Sequence, residues 1–254
     1  CLPIGHGEIL EISNNSNKSI YFAKEHNTVW LKFEAQYSAL FSFELIPHNI
    51  NYDLDFALFK LDSNNYCEKI SSKKLKPLIA NNCRNDKSIK SKTGASFQSK
   101  KEFIPAGPGE NYTKVIEVKK GDSLLLVIDN VYSGEEGFTL ILDYLKMKTI
   151  KGKINDENSG KPLAAELSWE DANSGKLLAS TLSNNVSGEF TLDVPVYLNK
   201  NNAKYILVSK SKNYFFNEDI YTSQNINDSI EINSININLP ELKKGNKSKF
   251  HNIN

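Results

Sequence analysis

The sequence has no apolar run that approaches the roughly 20 residues a helix needs to cross a bilayer. Its 31 basic and 30 acidic residues nearly cancel, so no overall field attracts nucleic acid or an anionic membrane. The four histidines stand apart from one another and from the cysteines, which argues against a transition-metal site. A zinc-protease helix, a serine-hydrolase elbow and a phosphate-binding loop are also missing from the sequence. These absences argue against a catalytic role and a nucleic-acid partner, and they leave membrane attachment to a lipid or a partner.

The chain does contain many short segments in which apolar and polar residues alternate. Residues 27–33, 41–47 and 52–62 alternate in this way and are rich in aromatic and branched side chains, which is typical of half-buried strands. The continuous apolar run 124–128 predicts a central strand that is covered on both faces. Further strands are predicted at residues 7–12, 18–22, 112–118, 123–129 and 137–144.

A second series of six short strands begins near Met147 and ends at Leu239, which predicts a small antiparallel sandwich. In the last strand Ile232 and Ile235 are out of phase, and a one-residue bulge near Ser234 would let both face the core. Turns are predicted at residues 158–160, 173–175 and 184–188.

The stretch 63–111 is long and mostly polar, and it predicts a connection with little regular structure. Long connections of this kind are often functional, although a decorated sandwich edge explains this one equally well. Gly107-Pro-Gly109, near its end, predicts a rigid turn and not a ligand cradle.

The first unit resembles jelly-roll modules of secreted and cell-envelope proteins of Bacteroidetes, which are related to bacterial pre-peptidase C-terminal domains. The resemblance covers roughly residues 20–145. It implies a jelly-roll or β-sandwich fold and a role in binding or positioning. The segments that carry it, besides the three opening strands, are Phe103-Ile-Pro-Ala-Gly-Pro-Gly109, Val118-Lys-Lys-Gly-Asp122 and Val127-Ile-Asp-Asn-Val131.

The second unit resembles the carboxypeptidase regulatory-like, or transthyretin-like, domain. A Gly-Tyr pair of that family is replaced here by Lys212-Asn-Tyr214, which affects a turn and leaves the fold expectation intact. The matching segments are Ile150-Lys-Gly-Lys-Ile-Asn-Asp156, Ser159-Gly-Lys-Pro-Leu163, Ala165-Glu-Leu-Ser168 and Val186-Ser-Gly-Glu-Phe-Thr-Leu192.

The expected organisation is a jelly-roll domain at residues 1–146, a transthyretin-like domain at 147–240 and a linker at 241–254. In Bacteroidetes envelope proteins that join two such modules, an OmpA-like peptidoglycan-binding domain often follows. The linker resembles the start of that arrangement, so we expect the chain to be part of a longer protein; a natural tail is the alternative.

The three cysteines suggest two different roles. Cys67 and Cys83 lie in the same polar stretch, and a disulfide between them would pin a loop that has little core of its own. Cys1 fits the lipid-modified first residue of a bacterial lipoprotein. An arbitrary start of the sequence, or a disulfide from Cys1 to another cysteine, remains open because sequence does not fix connectivity.

Asp53 and Asp55 are the residues best suited to bind a metal ion. They lie two apart on a predicted strand, so their carboxylates share a face, and oxygen ligands of this kind suit Ca²⁺. Asp62, Glu110 or Asp129 would complete a shell if the fold brings them close. Solvated carboxylates on a strand face, or a turn cap, are the alternative explanation.

Two Asp-Ser-aliphatic tripeptides, at Ser123 and Ser229, resemble the O-glycosylation signal of Bacteroidetes. Such short patterns also arise by chance, and both serines are expected near strand starts.

Together these patterns predict a non-enzymatic, periplasmic scaffold or accessory subunit associated with the outer membrane. Its expected partners are an outer-membrane barrel or another envelope complex, and peptidoglycan through the C-terminal domain that would follow. The alternative is a carbohydrate- or peptide-binding adhesion module at the cell surface, which would need a cluster of solvent-facing aromatic side chains. Apart from calcium, no cofactor is expected.

Overall fold

The computed structural model describes residues 26–62, 65–97, 99–132, 136–223 and 232–242. The chain divides into two compact units, Cys1–Leu145 and Lys146–Asn254. Strands dominate the described part of both units, so the prediction of an all-β fold is confirmed. The strands predicted at residues 7–12 and 18–22, and most of the predicted linker, lie outside the described residues.

Two sheets form the first unit. One has the order β1-β9-β3-β4-β6, and in the other β2 pairs with β5, β8 and residues 138–145 of β10. The elements are β1 (Asn27–Glu34), β2 (Ala39–Pro47), β3 (Leu54–Leu61), α1 (Tyr66–Ser71), β4 (Ile79–Cys83), a 3-10 helix (Lys87–Ile89), β5 (Thr93–Ala95), β6 (Phe103–Gly107), β7 (Tyr112–Thr113), β8 (Ile116–Val118), β9 (Ser123–Asn130) and β10 (Phe138–Asp156).

The core of the first unit lies between these sheets. Phe43 of β2 meets Phe56 of β3 edge to face, with ring centroids 4.9 Å apart. β9 lies between β1 and β3, and Leu124 to Ile128 are all buried, as their continuous apolar run predicts. The other face of this sheet is covered by α1, whose Ile70 packs against Ala80 and Phe59.

The polar stretch 63–111 forms regular structure after all. It contributes α1, the 3-10 helix and strands β4 to β6. All five residues of β4 are buried, among them Asn81 and Asn82. Asn81 can be buried because its polar groups are satisfied: its side chain donates to the carbonyl oxygen of Glu110 at 3.0 Å and accepts from the Cys83 N–H at 2.9 Å.

The second unit contains a four-stranded sheet of order β12-β11-β14-β15, and β13 and β16 flank the second half of β10. β16 runs parallel to β10, with an irregular register between Ile150 and Gly152 that confirms the predicted bulge. The stacked rings of Trp169 and Tyr205, 4.9 Å apart, fill the centre. The strands are β11 (Glu166–Asp171), β12 (Leu177–Leu182), β13 (Glu189–Tyr197), β14 (Lys204–Lys210), β15 (Asn217–Thr222) and β16 (Ile232–Leu239).

Three turns of the second unit share the sequence pattern Asp/Asn-x-x-Ser-Gly, at residues 156–160, 171–175 and 184–188. In each, the side-chain oxygen of the first residue accepts from the N–H groups two and three positions later. The carbonyl oxygen of that first residue accepts from the N–H of the glycine. Each glycine has a φ of +65° to +71°, a conformation that favours glycine. The three predicted turns are therefore confirmed, and one local arrangement builds all of them.

Substituting Gly188 with alanine tests this arrangement. A left-handed backbone costs an alanine about 1–2 kcal/mol, and a Cβ at Gly188 would also collide with the carbonyl oxygen of Ile154. Gly175→Ala is the matched control, because its φ is similar but no atom lies within 4 Å of the added Cβ. We expect urea denaturation to show a larger loss of unfolding free energy for Gly188→Ala than for Gly175→Ala. Equal losses would contradict the packing seen at Gly188.

Candidate functional site

A cavity of about 450 Å³ opens at one end of the first unit, and each of its lining side chains carries a polar or charged group. Three separate parts of the chain build it: the β2–β3 connection, the segment between β4 and β5, and the residue pair that follows β9. Its lining residues are Asn49, Asn51, Tyr52, Asp53, Arg84, Asn85, Lys87, Ser91 and Tyr132.

Hydrogen bonds between the first two of these segments fix the walls of the cavity. The Ser91 hydroxyl donates to the carbonyl oxygen of Ile50 at 2.5 Å, and Lys87 Nζ donates to Asn51 Oδ1 at 2.7 Å. Lys90 and Ser91 adopt left-handed φ values of 59° and 52°, which non-glycine residues seldom do and which cluster at functional sites. The segment after β4 is thus held in an unusual conformation against the β2–β3 connection.

Asp53 and Asn85 are buried residues of the cavity lining that contact each other. Asp53 Oδ1 accepts from the Asn85 N–H at 2.8 Å. Burial raises the pKa of the Asp53 carboxyl, and the Asn85 N–H and the charge of Arg84 oppose that rise. Asn85 is only 7 % exposed, and its Oδ1 has no hydrogen-bond partner within the described residues.

Arg84 lies beside this pair and is exposed. Its backbone N–H donates to the carbonyl oxygen of Gly107 at 2.9 Å, which anchors the residue to β6. In the part of the chain that the structure describes, its guanidinium has no salt bridge or hydrogen bond. Arg84 was not among the site residues predicted from the sequence, although one signal was present: it is the single arginine among 31 basic residues.

Asp55 lies close to the cavity, on the β3 face that also carries Ala57 and Phe59. Its register partner on β9 is Asp129, which is fully buried and accepts from the N–H groups of His26 and Asn27 and contacts the His26 ring at 2.8 Å. Asp55 Oδ1, by contrast, has no partner within the described residues. Burial, followed by the charges of Asp53 and Asp129, raises the pKa of Asp55 well above its usual value.

The predicted calcium shell is only partly assembled. Asp62 pairs with Lys69, and Glu110 pairs with Lys101, so neither joins Asp53 and Asp55. The described residues contain no group of three or more His, Cys, Asp or Glu side chains placed to hold a metal ion. Calcium binding by Asp53 and Asp55 stays a prediction that would need Asn85 or other oxygen ligands.

The predicted bond between Cys67 and Cys83 is wrong. Cys83 is a free, buried thiol that donates to the carbonyl oxygen of Glu110 at 3.0 Å, and burial raises its pKa to about 12. The reason is the alternation of β4, since Ala80 faces α1 and Cys83, three positions later, faces the opposite side. Cys67 is disulfide-bonded, but not to Cys83.

The modification sites remain predictions. Ser123 is the first residue of β9, half-buried between β1 and β3. Cys1 and Ser229 lie outside the described residues. No helix in the described ranges is long and apolar enough to span a membrane.

No family model and no curated protein matches the chain. Solved structures that match include the group B streptococcus pilus 2b backbone protein, at 10 % identity and a TM-score of 0.27, covering 84 % of this chain and 92 % of that one. The full-length major pilin SpaD of Corynebacterium diphtheriae matches at 14 % identity and a TM-score of 0.30, covering 86 % of this chain and 62 % of that one. The D295N mutant of the shaft pilin SpaA of Lactobacillus rhamnosus GG matches at 10 % identity and a TM-score of 0.27, covering 84 % of this chain and 97 % of that one. TM-scores this low support no transfer of fold family or function, and the resemblances inferred from the sequence stay predictions.

The raised pKa of Asp55 predicts how the unfolding free energy depends on pH. Above the ordinary pKa of an aspartate, the unfolded chain loses the Asp55 proton while the folded chain keeps it. The unfolding free energy should therefore fall as the pH rises from about 4 toward the raised folded pKa. We expect Asp55→Asn to flatten this fall and to be more stable than the wild type at pH 7. Urea titrations between pH 4 and 8 measure both effects.

Glu117→Gln, at an exposed position of β8, controls for the loss of one negative charge. If Asp55→Asn were less stable than the wild type at pH 7, Asp55 would be needed in its charged form.

Proposed function

We propose that this chain is a non-enzymatic binding protein of the cell envelope, and that its first unit holds a small polar ligand in the cavity between Asn49 and Tyr132. The observation that carries the proposal is the convergence of amide, carboxylate, guanidinium and phenol side chains on one concave site. Ligand sites in proteins are typically concave, with a volume of about 300–1,000 Å³ and a few polar groups that fix orientation.

The chemistry of the lining fits a carbohydrate. Asn49, Asn51 and Asp53 offer the planar amide and carboxylate groups that hydrogen-bond hydroxyls. Tyr132 is 47 % exposed, and its ring offers an apolar surface with a polar tip. A sugar ring has the same combination of an apolar face and a polar rim.

The proposed envelope location, periplasmic or at the cell surface, follows the resemblance of both units to envelope modules. The disulfide at Cys67 supports it, because disulfides persist in oxidising compartments such as the periplasm and the cell exterior. Attachment to peptidoglycan through a further domain belongs to the same proposal.

Replacing Tyr132 with alanine tests the cavity. In a glycan screen followed by calorimetry, we expect Tyr132→Ala to weaken binding about tenfold or more, equivalent to about 1.4 kcal/mol. Tyr37→Ala is the matched control: Tyr37 is 39 % exposed and precedes β2, whereas the cavity lies beyond the other end of that strand. Equal effects of the two substitutions, or turnover of the bound ligand, would contradict the proposal.

A scaffold role is the second candidate, and the edge of the second unit's sheet favours it. Within the described residues β15 pairs with β14 alone, and it carries Ile220, which is 69 % exposed, with Phe216 just before it at 61 %. Exposed strand edges accept a further strand from a partner, and apolar side chains on such an edge strengthen the contact.

A charge on this edge should prevent that contact. We expect Ile220→Lys to abolish co-purification with an outer-membrane partner while leaving the melting temperature within a few degrees, because the side chain is exposed. Leu182→Lys, on the opposite edge strand β12, is the control. Partner binding that survives Ile220→Lys would remove β15 as the docking edge.

A further inference from the structure

The single arginine of the chain occupies a position where its particular chemistry matters. Thirty of the 31 basic residues are lysines, which supply charge without a fixed geometry. A guanidinium is planar and presents paired N–H donors that match the two oxygens of a carboxylate. Arg84 holds that group at the wall of the polar cavity.

The protein itself does not use the Arg84 guanidinium as an ion-pair partner. Asp53 is near enough for Arg84 to lower its pKa, yet the two side chains form no salt bridge within 4 Å, and Asp53 Oδ1 already accepts from the Asn85 N–H. No other carboxylate of the described residues pairs with Arg84. Its donors are therefore available to a molecule inside the cavity.

Lys87 adds a second positive charge to the same wall. Its Nζ donates one hydrogen bond to Asn51 Oδ1, and an ammonium group has three donors. The charged groups that line the cavity are Arg84, Lys87 and the Asp53 carboxyl, so the lining has a net positive charge even when Asp53 is ionised. A ligand with one negative charge fits this balance.

The remaining lining groups suit a ligand that carries hydroxyl groups next to its negative charge. Asn49, Asn51 and Asn85 all line the cavity and supply amide groups, which hydrogen-bond hydroxyls. The half-exposed ring of Tyr132 provides a surface for the apolar face of a sugar.

We propose that the cavity binds an acidic saccharide of the uronic-acid type, whose carboxylate is held by Arg84 with support from Lys87. The inference rests on the proposed function, since it names the ligand class of the same site. Asp53, Asn85 and the amides of the β2–β3 connection face the hydroxyls, and Tyr132 faces the ring.

The test compares sugars that differ only in the acidic group, using the full chain and isothermal titration calorimetry. Glucuronic acid and its oligosaccharides should bind at least tenfold more tightly than glucose and than the methyl ester of glucuronic acid. Arg84→Lys keeps the charge but loses the paired geometry, so it should weaken glucuronate binding about tenfold. Arg84→Ala should weaken glucuronate binding further. Lys120→Ala, which removes a charge from an exposed turn before β9, should leave glucuronate binding unchanged.

Each result decides the question. Because the Arg84 side chain is exposed and its guanidinium has no hydrogen-bond or salt-bridge partner among the described residues, both variants should keep the wild-type melting temperature, and a loss of binding would report on the site. Equal binding of glucose and glucuronate, insensitive to Arg84 but sensitive to Tyr132→Ala, would refute the acidic ligand and leave the proposed function standing. Preference for glucose 6-phosphate, or for a peptide with a free and not an amidated C-terminus, would overturn the uronic-acid assignment. Absence of binding by all these probes would overturn this inference, and failure of the wider glycan screen as well would overturn the proposed function.

Discussion

The burial of β9 on both faces is the constraint on which the first unit depends. Leu124 to Ile128 are covered by the opposite sheet on one side and by the α1 cluster on the other. β9 continues past this apolar run to Asn130, so the polar Asp129 is still part of the enclosed strand. The fold therefore brings a carboxylate inside, and the N–H groups of His26 and Asn27 satisfy it. Asp55, its neighbour across the sheet, receives no such support, and the cavity lies beside this polar end of the sheet.

Much of the fold could be predicted because alternation and turn chemistry are local signals. The opening strands, the central position of β9 and the slip in β16 all follow from the spacing of apolar residues. β4 could not be predicted in this way, because two of its five residues are asparagines. Their burial depends on contacts with residues far along the chain, such as the carbonyl oxygen of Glu110, and hydropathy does not report such contacts.

The candidate site was harder to predict, because it is assembled from three distant segments. Asp53 and Asp55 stood out as a pair, but their low exposure and shared environment make one of them a carboxyl that tends to keep its proton. The predicted disulfide between Cys67 and Cys83 was wrong, because the separation of two cysteines along the chain does not tell which face of β4 a side chain occupies. Arg84 carried a compositional signal without a positional one: its rarity was visible, but its place at the cavity was not.

The three Asp/Asn-x-x-Ser-Gly turns bear on the order in which the second unit forms. Each closes within five residues, so each loses little chain entropy and needs no distant partner. The pairing of β10 with β16, by contrast, joins Ile150 to Ile232 and must wait for most of the unit to be synthesised. We expect β11, β12 and β13 to assemble early around these turns while one edge of β10 stays open. During that interval the same edge is accessible to a β16 segment from another copy of the chain, which makes strand exchange the characteristic misfolding risk of this unit.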